Sequence, residues 1–300
     1  MSGLRFHVAL PPPFSFAHTV SAARFYSVLG VLRPDGAYRR VLRVGETLAL
    51  AEFAPAGEGV DVRLLVASGP LDAQQFAARA RWMLHPALDL APFYALQEAD
   101  PALSRLIAPL AGLRAFRLDS AFESLAITII EQQIALTMAQ AAERWLIRTY
   151  GESLTYEGEA YYAFPRPETL AQLSVADLTP LKITFIRIGR LLEIARAVAD
   201  NTLDLEPLAA EPDALYQRML ALNGVGHWTA SWALIRASGQ FRYFGQADVA
   251  LRAAANQHFA GLPGRMDGGV LDAHFARFGA QAGLAAFYLI IRYAHDKVKL

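Results

Sequence analysis

The chain has 300 residues, 54% of them hydrophobic and 19% charged, with a formal net charge of zero. That is the profile of a well-packed globular protein long enough for two domains. It contains no cysteine, which excludes disulfides, thiolate catalysis and cysteine-ligated zinc or iron–sulfur sites. No run approaches the roughly 20 uninterrupted apolar residues of a membrane helix, and the N-terminus lacks a charged-then-apolar signal segment, so the sequence predicts a soluble, cytoplasmic protein with no membrane partner.

In chain order, residues 38–44, 46–53 and 60–66 are short β-prone runs. Gly45-Glu46 and a Pro- and Gly-containing stretch over residues 54–59 separate them, which predicts an antiparallel meander. A helix is expected over residues 71–84, with His85-Pro86 through Ala91-Pro92 as a linker. Beyond it helical periods dominate. The predicted class is α+β: an antiparallel sheet domain with a flanking helix over residues 1–90, then a mainly α-helical region over residues 91–300. The seven histidines are scattered, with no spacing that suits a catalytic transition metal.

The most informative stretch is Leu222-Asn223-Gly224-Val225-Gly226-His227-Trp228-Thr229-Ala230. Leu215, Met219 and Leu222 recur at the period of one helical face, and Asn223-Gly224 suits a left-handed helix stop. Trp228, Trp232 and Ile235 repeat the period on a second helix that ends near Ser238-Gly239. The unit reads as helix, Gly-x-Gly hairpin, helix. Two glycines let the backbone approach a ligand, and the N–H groups of Gly226, His227 and Trp228 are left open at a helix N-terminus. Such a terminus suits an anion, a nucleic-acid phosphate being the natural candidate. The competing reading is an ordinary interhelical turn. Asp248 follows in Phe244-Gly245-Gln246-Ala247-Asp248-Val249-Ala250, at the start of another apolar helical run.

With Asp248 at that distance, the sequence resembles the helix-hairpin-helix (HhH-GPD) DNA glycosylases, most closely the DNA-3-methyladenine glycosylase II type. The resemblance extends over residues 122–142, where Ile130-Glu131-Gln132-Gln133-Ile134 looks like the helix pair carrying the DNA-wedge residue. It continues through Phe164-Pro165-Arg166-Pro167-Glu168-Thr169-Leu170 and covers most of the chain from about Pro92. The endonuclease III and adenine-mismatch branches carry a four-cysteine iron–sulfur cluster, so this chain is a standard member of neither.

The resemblance implies that Asp248 opposes the positive charge that develops on the sugar as the N-glycosidic bond breaks, and orients or deprotonates water. Its alternative role is an N-cap for the helix starting at Val249. Lyase relatives place a nucleophilic lysine where this chain has Trp228, which implies a monofunctional, hydrolytic enzyme. Trp228 and Trp232, one turn apart, are expected to offer π faces to a flipped cationic base, worth about 0.5–2 kcal/mol, with core packing as the alternative. Gln133 takes the wedge position, or is an exposed glutamine at a helix end. Gly224, Gly226 and His227 form the phosphate-binding hairpin, and the carbonyls of Leu220, Leu222 and Val225 match a site for a monovalent cation, sodium or potassium. No cofactor is required for catalysis.

There are departures from the pattern. Asn223 replaces the usual proline after the hairpin leucine, and Ala285 and Ala286 stand where an aromatic pocket wall is expected, which suggests an open pocket and a broad lesion range. Zero net charge predicts few phosphate ion pairs and a grip on DNA through main-chain donors. The N-terminal sheet resembles the family's accessory domain and offers no catalytic constellation. The expectation is a monomeric DNA glycosylase that flips and excises alkylated bases from double-stranded DNA in base excision repair. The alternative is a non-catalytic helix-hairpin-helix protein that binds DNA or senses damage. An enzyme for oxidised or mismatched bases is disfavoured by Trp228 and the missing cysteines.

Overall fold

The computed structural model describes residues 3–298. Strand β1 (Arg5–Ala9) and helix α1 (Phe16–Tyr26) precede β2 (Val31–Leu32), β3 (Tyr38–Val44), β4 (Thr47–Pro55) and β5 (Gly59–Ala67), after which α2 (Ala73–Leu84) closes the N-terminal part. The strands form one antiparallel sheet of order β1-β5-β4-β3-β2. Its centre is the expected meander. The edge strands and α1 have no counterpart in the sequence reading. β2 is two residues long, too short for any alternation, and the alternation of β1, with Phe6 and Val8 turned inward, spans only five residues.

Helices α3 (Ala91–Ala95), α4 (Pro101–Ile107), α5 (Ala121–Glu131) and α6 (Leu136–Tyr150) follow, then a hairpin of β6 (Ser153–Tyr156) and β7 (Glu159–Tyr162). The rest is helical: α7 (Pro167–Ala171), α8 (Phe185–Ala199), α9 (Pro212–Leu220), α10 (His227–Ser238), α11 (Val249–Ala260), α12 (Gly268–Ala276) and α13 (Ala282–Val298).

Period-two alternation sends the sheet's side chains to two different partners. Leu42, Ala49, Ala51 and Phe53 belong to the main core, where Phe53 and Tyr38 each meet Phe116 edge-on at 5.3 Å between ring centroids. Val41, Leu48 and Leu50 point the other way, onto Leu154 and Tyr161 of the β6–β7 hairpin. The main core runs without interruption from Val8 to Ile291, on both sides of the segment around residue 90. Tyr26 fastens α1 to the helical part, its hydroxyl donating to the Phe116 carbonyl (2.8 Å) and accepting from the Phe116 N–H (2.9 Å).

A charged residue on the inward sheet face must find a partner. Arg40 of β3 is 1% exposed and pairs with the equally buried Glu123 in the first turn of α5. α5 is further fixed at its start, where Ser120 caps it and Glu206 accepts from the Ala121 and Phe122 N–H groups, both at 3.1 Å. Glu143 of α6, 2% exposed, accepts from the Val28 N–H (3.0 Å) and the Ser27 hydroxyl (3.3 Å).

Burial raises the Glu143 carboxyl from 4.5 to about 8. Between those values the unfolded chain releases this proton while the folded chain keeps it, so stability falls as pH rises through the window. We expect the unfolding free energy of Glu143→Gln, measured by urea denaturation, to decline less than the wild type's between pH 5 and pH 8. Equal slopes would show that Glu143 ionises normally in the fold.

Candidate functional site

The hairpin lies where expected. α9 ends at Leu220, Gly224 takes a left-handed φ of 77°, and Gly226 precedes α10 with no side chain capping the helix. α10 is buried nearly all round, with Thr229 through Ser238 all inside as it packs along α5. Gly239 closes it in a left-handed conformation. Turns at Phe241–Phe244 and Gly245–Asp248 then bring the chain back to the N-terminus of α11.

Asp248 is the N-cap of α11 and is 4% exposed. Its Oδ1 accepts from the Leu251 N–H at 2.8 Å, and its Oδ2 accepts from the indole N–H of both Trp228 and Trp232, each at 2.7 Å. The cap and the site are one arrangement. Capping alone needs only one carboxylate oxygen. The second is held by two donors from a neighbouring helix, one turn apart along α10.

Asp248 lines a cleft of about 860 Å³, together with Gln133, Arg190, Gly224, Gly226 and Arg265. The cleft leads to an apolar chamber of about 370 Å³ walled by Phe25, Ile134, Trp228, Trp232, Ile290 and Tyr293, with Asp248 and Glu131 shared by both spaces. Chambers of this size suit small planar ligands.

The two tryptophans are unequal. Trp232 is 8% exposed, its ring packed edge-on to Phe244 at 4.9 Å and covered by the Arg236 guanidinium at 5.3 Å. That assigns Trp232 to core packing and to holding Asp248. Trp228 is half-buried and faces both spaces, so of the two it offers the larger free π surface. Gln133 sits exposed at the tip of the α5–α6 turn with a φ of 54°. Gln132 beside it binds this turn to the hairpin, its amide donating to the Gly224 carbonyl (3.1 Å) and the Thr229 hydroxyl (2.8 Å). Arg187 donates to the Gln132 carbonyl. The His227 ring is held by the Tyr216 hydroxyl at 2.7 Å. Of the three hairpin carbonyls, that of Leu222 accepts the Val225 N–H at 3.1 Å.

Ala285 and Ala286 are a correction. They are 0% and 1% exposed, within the core, and line neither space. The wall that α13 contributes begins one turn further on, at Ile290, Ile291 and Tyr293, so small residues at 285 and 286 do not open the chamber. The N-terminal part, expected to offer no catalytic constellation, does contribute wall: Phe25 and Tyr26 of α1 line the chamber.

The sequence reading also missed Glu131 and Arg236. Arg236 is 3% exposed and bonds the Thr128 hydroxyl (2.6 Å) and Glu131 (2.7 Å). The signal was present: Glu131 ends the mostly apolar run 127–130 of α5 and Arg236 stands within the buried stretch of α10, and a charge in such a place has to be paired. Burial raises the Glu131 carboxyl above its ordinary range against the opposing pull of Arg236, and Asp248 adds to the rise. Lys297 also lines the chamber, its ammonium 5.0 Å from the Tyr293 ring centroid. Among the described residues no group of three or more histidines, cysteines or carboxylates could hold a metal, and no helix is long and apolar enough to cross a membrane.

A sheet domain joined to a helical region that carries a helix-hairpin-helix unit and a following buried aspartate is the fold of the helix-hairpin-helix DNA glycosylases, and the chain is similar in sequence to DNA-3-methyladenine glycosylases. A DNA-3-methyladenine glycosylase of Bacillus subtilis is 33% identical over 150 residues, 49% of each chain. DNA-3-methyladenine glycosylase 2 of Escherichia coli is 28% identical over 229 residues, covering 75% of this chain and 78% of that one. The chain spans about half the length of several of the curated relatives it matches. No family model matches it. Among solved structures, a 3-methyladenine DNA glycosylase from Archaeoglobus fulgidus superposes with a TM-score of 0.78 at 20% identity, covering 97% of this chain and 98% of that one. An 8-oxoguanine glycosylase/lyase from Clostridium acetobutylicum, bound to DNA, superposes with a TM-score of 0.75 at 18% identity, covering 95% and 93%. These structural likenesses are of fold.

Proposed function

We propose that the protein is a monofunctional DNA glycosylase that extrudes alkylated bases of the 3-methyladenine type from duplex DNA and removes them by hydrolysis. The observation that carries this reading is Asp248: a buried carboxylate locked by three N–H donors at the junction of an open cleft and an apolar chamber. A base turned out of the helix enters the chamber and stacks on Trp228, while Gln133 stands at the tip of the turn beside the cleft to fill the gap. The sugar is left beside Asp248, whose charge opposes the developing oxocarbenium and whose oxygen orients water for attack. The open N–H groups at the start of α10 take a backbone phosphate. The Leu220, Leu222 and Val225 carbonyls are hard oxygen donors that suit sodium or potassium, and Leu222 keeps a second lone pair beyond its turn bond. A cation there would add positive charge beside that phosphate.

A damage-sensing protein without catalysis would need Asp248 only as a cap. Two indoles spent on its second oxygen, and a chamber behind them, favour the enzyme. The likeness to a glycosylase/lyase extends to the fold alone, and Trp228 leaves no amine at the first turn of α10.

Gly226 has an ordinary extended conformation and open space where a Cβ would stand. Gly226→Ala should leave stability within about 0.5 kcal/mol and still weaken binding to duplex DNA in a fluorescence-anisotropy titration, because its Cβ meets the phosphate. Unchanged affinity would return the hairpin to a plain turn. Gly224 serves this test less well, since at its positive φ any Cβ strains the backbone as well as displacing the end of the Arg190 side chain.

Asp248→Asn should lower excision of an alkylated base by roughly 100-fold or more, with binding to an abasic-site duplex retained. All three contacts to Asp248 come from donors, so the new amide opposes one of them and should lower the melting temperature of a still folded protein. Undiminished excision would remove Asp248 from the mechanism.

Borohydride should trap no covalent protein–DNA adduct on an abasic duplex. A trapped adduct, especially one lost in Lys297→Ala, would replace hydrolysis with amine chemistry from α13.

A further inference from the structure

The chamber holds few polar groups, and most are already committed. The Tyr26 hydroxyl both donates and accepts at Phe116. Both indole N–H groups end on Asp248, whose other oxygen takes the Leu251 N–H. Arg236 spends its two terminal nitrogens on Thr128 and Glu131. The walls formed by Ile134, Leu136, Ala139, Ile290 and Ile291 are aliphatic. Tyr293 and the exposed Lys297 lie together on the last turns of α13.

Glu131 is different. It is the last residue of α5, its side chain is 13% exposed, and it lines both the cleft and the chamber. Its two oxygens lie 2.8 and 2.7 Å from Arg236, and both distances are to the same nitrogen, Nη2. A carboxylate has about four lone-pair sites. One nitrogen shared between two oxygens leaves at least half of that capacity unused, in apolar surroundings where an acceptor gains most from a donor or a positive charge.

We propose that Glu131 reads the edge of the extruded base, so that the chamber favours bases that carry positive charge or present an exocyclic N–H toward α5 over neutral lesions that do neither. This rests on the glycosylase reading of the same site. Arg236 holds the carboxylate in place, and because it also covers Trp232 it ties base recognition to the helix that holds Asp248. A cationic base is attracted as a whole, and an amino group at its edge supplies the hydrogen bond. A neutral base with a blocked edge leaves the remaining lone pairs of Glu131 facing apolar surface, with only Arg236 as partner, and is disfavoured for that reason.

The test uses two adenine lesions of similar size in otherwise identical duplexes: 1-methyladenine, which is cationic and keeps an exocyclic amine, and ethenoadenine, which is neutral and has that nitrogen closed into a ring. Excision of both is measured under single-turnover conditions for the wild type, Glu131→Gln and Asp248→Asn at one pH and salt concentration. The wild type should prefer the cationic lesion, and in Glu131→Gln the cationic-to-neutral ratio should fall roughly tenfold or more. A merely structural role for Glu131 would lower both rates together and leave the ratio unchanged, which overturns the proposal. A wild type inactive on both lesions, or an Asp248→Asn protein as active as the wild type, would instead overturn the glycosylase reading beneath it. If Glu131→Gln does not fold because Arg236 is left without a counter-charge, the pair Glu131→Gln and Arg236→Met removes that charge as well. The same ratio then decides.

Discussion

A carboxylate buried at 4% exposure is tolerable only if donors replace the water it has lost. That requirement organises the site. Asp248 draws one donor from its own helix and two from α10, so the geometry between α10 and α11 is set by one side chain. The two indoles are four residues apart and therefore share a helical face. Converging on a single oxygen, they fix both rings, and with them one wall of the chamber. The same bonds leave Asp248 with no rotamer freedom to lose when a ligand arrives, which is what an electrostatic role demands.

α5 carries that order back to the sheet. Its first turn is held by Ser120, by Glu206 and by Arg40 from β3. Its last residue pairs with Arg236, and the next, Gln132, bonds the hairpin. The helix is thus anchored to the N-terminal part at one end and to the site at the other. Removing one member of a buried ion pair costs about 3–5 kcal/mol because the survivor is left unpaired, so the Arg40–Glu123 contact makes the sheet part of the support for α5 and not an appendage to it. The chamber agrees with this: Phe25 and Tyr26, on a helix that precedes most of the sheet, form part of its wall.

What could be read from the sequence follows from the range of the interactions involved. The meander, the hairpin and the capping position of Asp248 are local, and alternation, glycine spacing and an aspartate before an apolar run all report local geometry. The joining of α10 to Asp248 was half legible, since the residues stood out while the bonds between them did not. The Ala285 assignment failed because the part of a long helix that faces a cavity depends on where its neighbours end. An uncertainty of one turn exchanges a core face for a lining face. Glu131 and Arg236 were overlooked because they lie 105 positions apart, and a pairing across that distance has no sequence period. Their place in largely apolar stretches of helix was the available signal.

Zero net charge conceals a sorting that only the fold reveals. On the sheet, Arg39, Arg40, Arg43 and Arg63 each meet a carboxylate, as does Arg166 just after the β6–β7 hairpin. Around the hairpin of α9 and α10 the arginines are placed differently. Arg190 and Arg265 line the cleft, Arg187 bonds the Gln132 carbonyl and Arg252 the Met266 carbonyl, and among the described residues none of the four forms an ion pair. Carboxylates are spent where they staple secondary structure, so positive charge is left where backbone N–H groups are also open. Arg190 and Arg265 therefore bring positive charge to the hairpin side of a cleft that also holds Asp248 and Glu131, even though the sum over the chain vanishes. The field of those two arginines acts within about one Debye length, roughly 8–10 Å in physiological salt, which is enough to orient a phosphate already at the surface and too short to gather polyanion from a distance. The charge sum bounds long-range attraction, and the placement of unpaired arginines governs the contact itself.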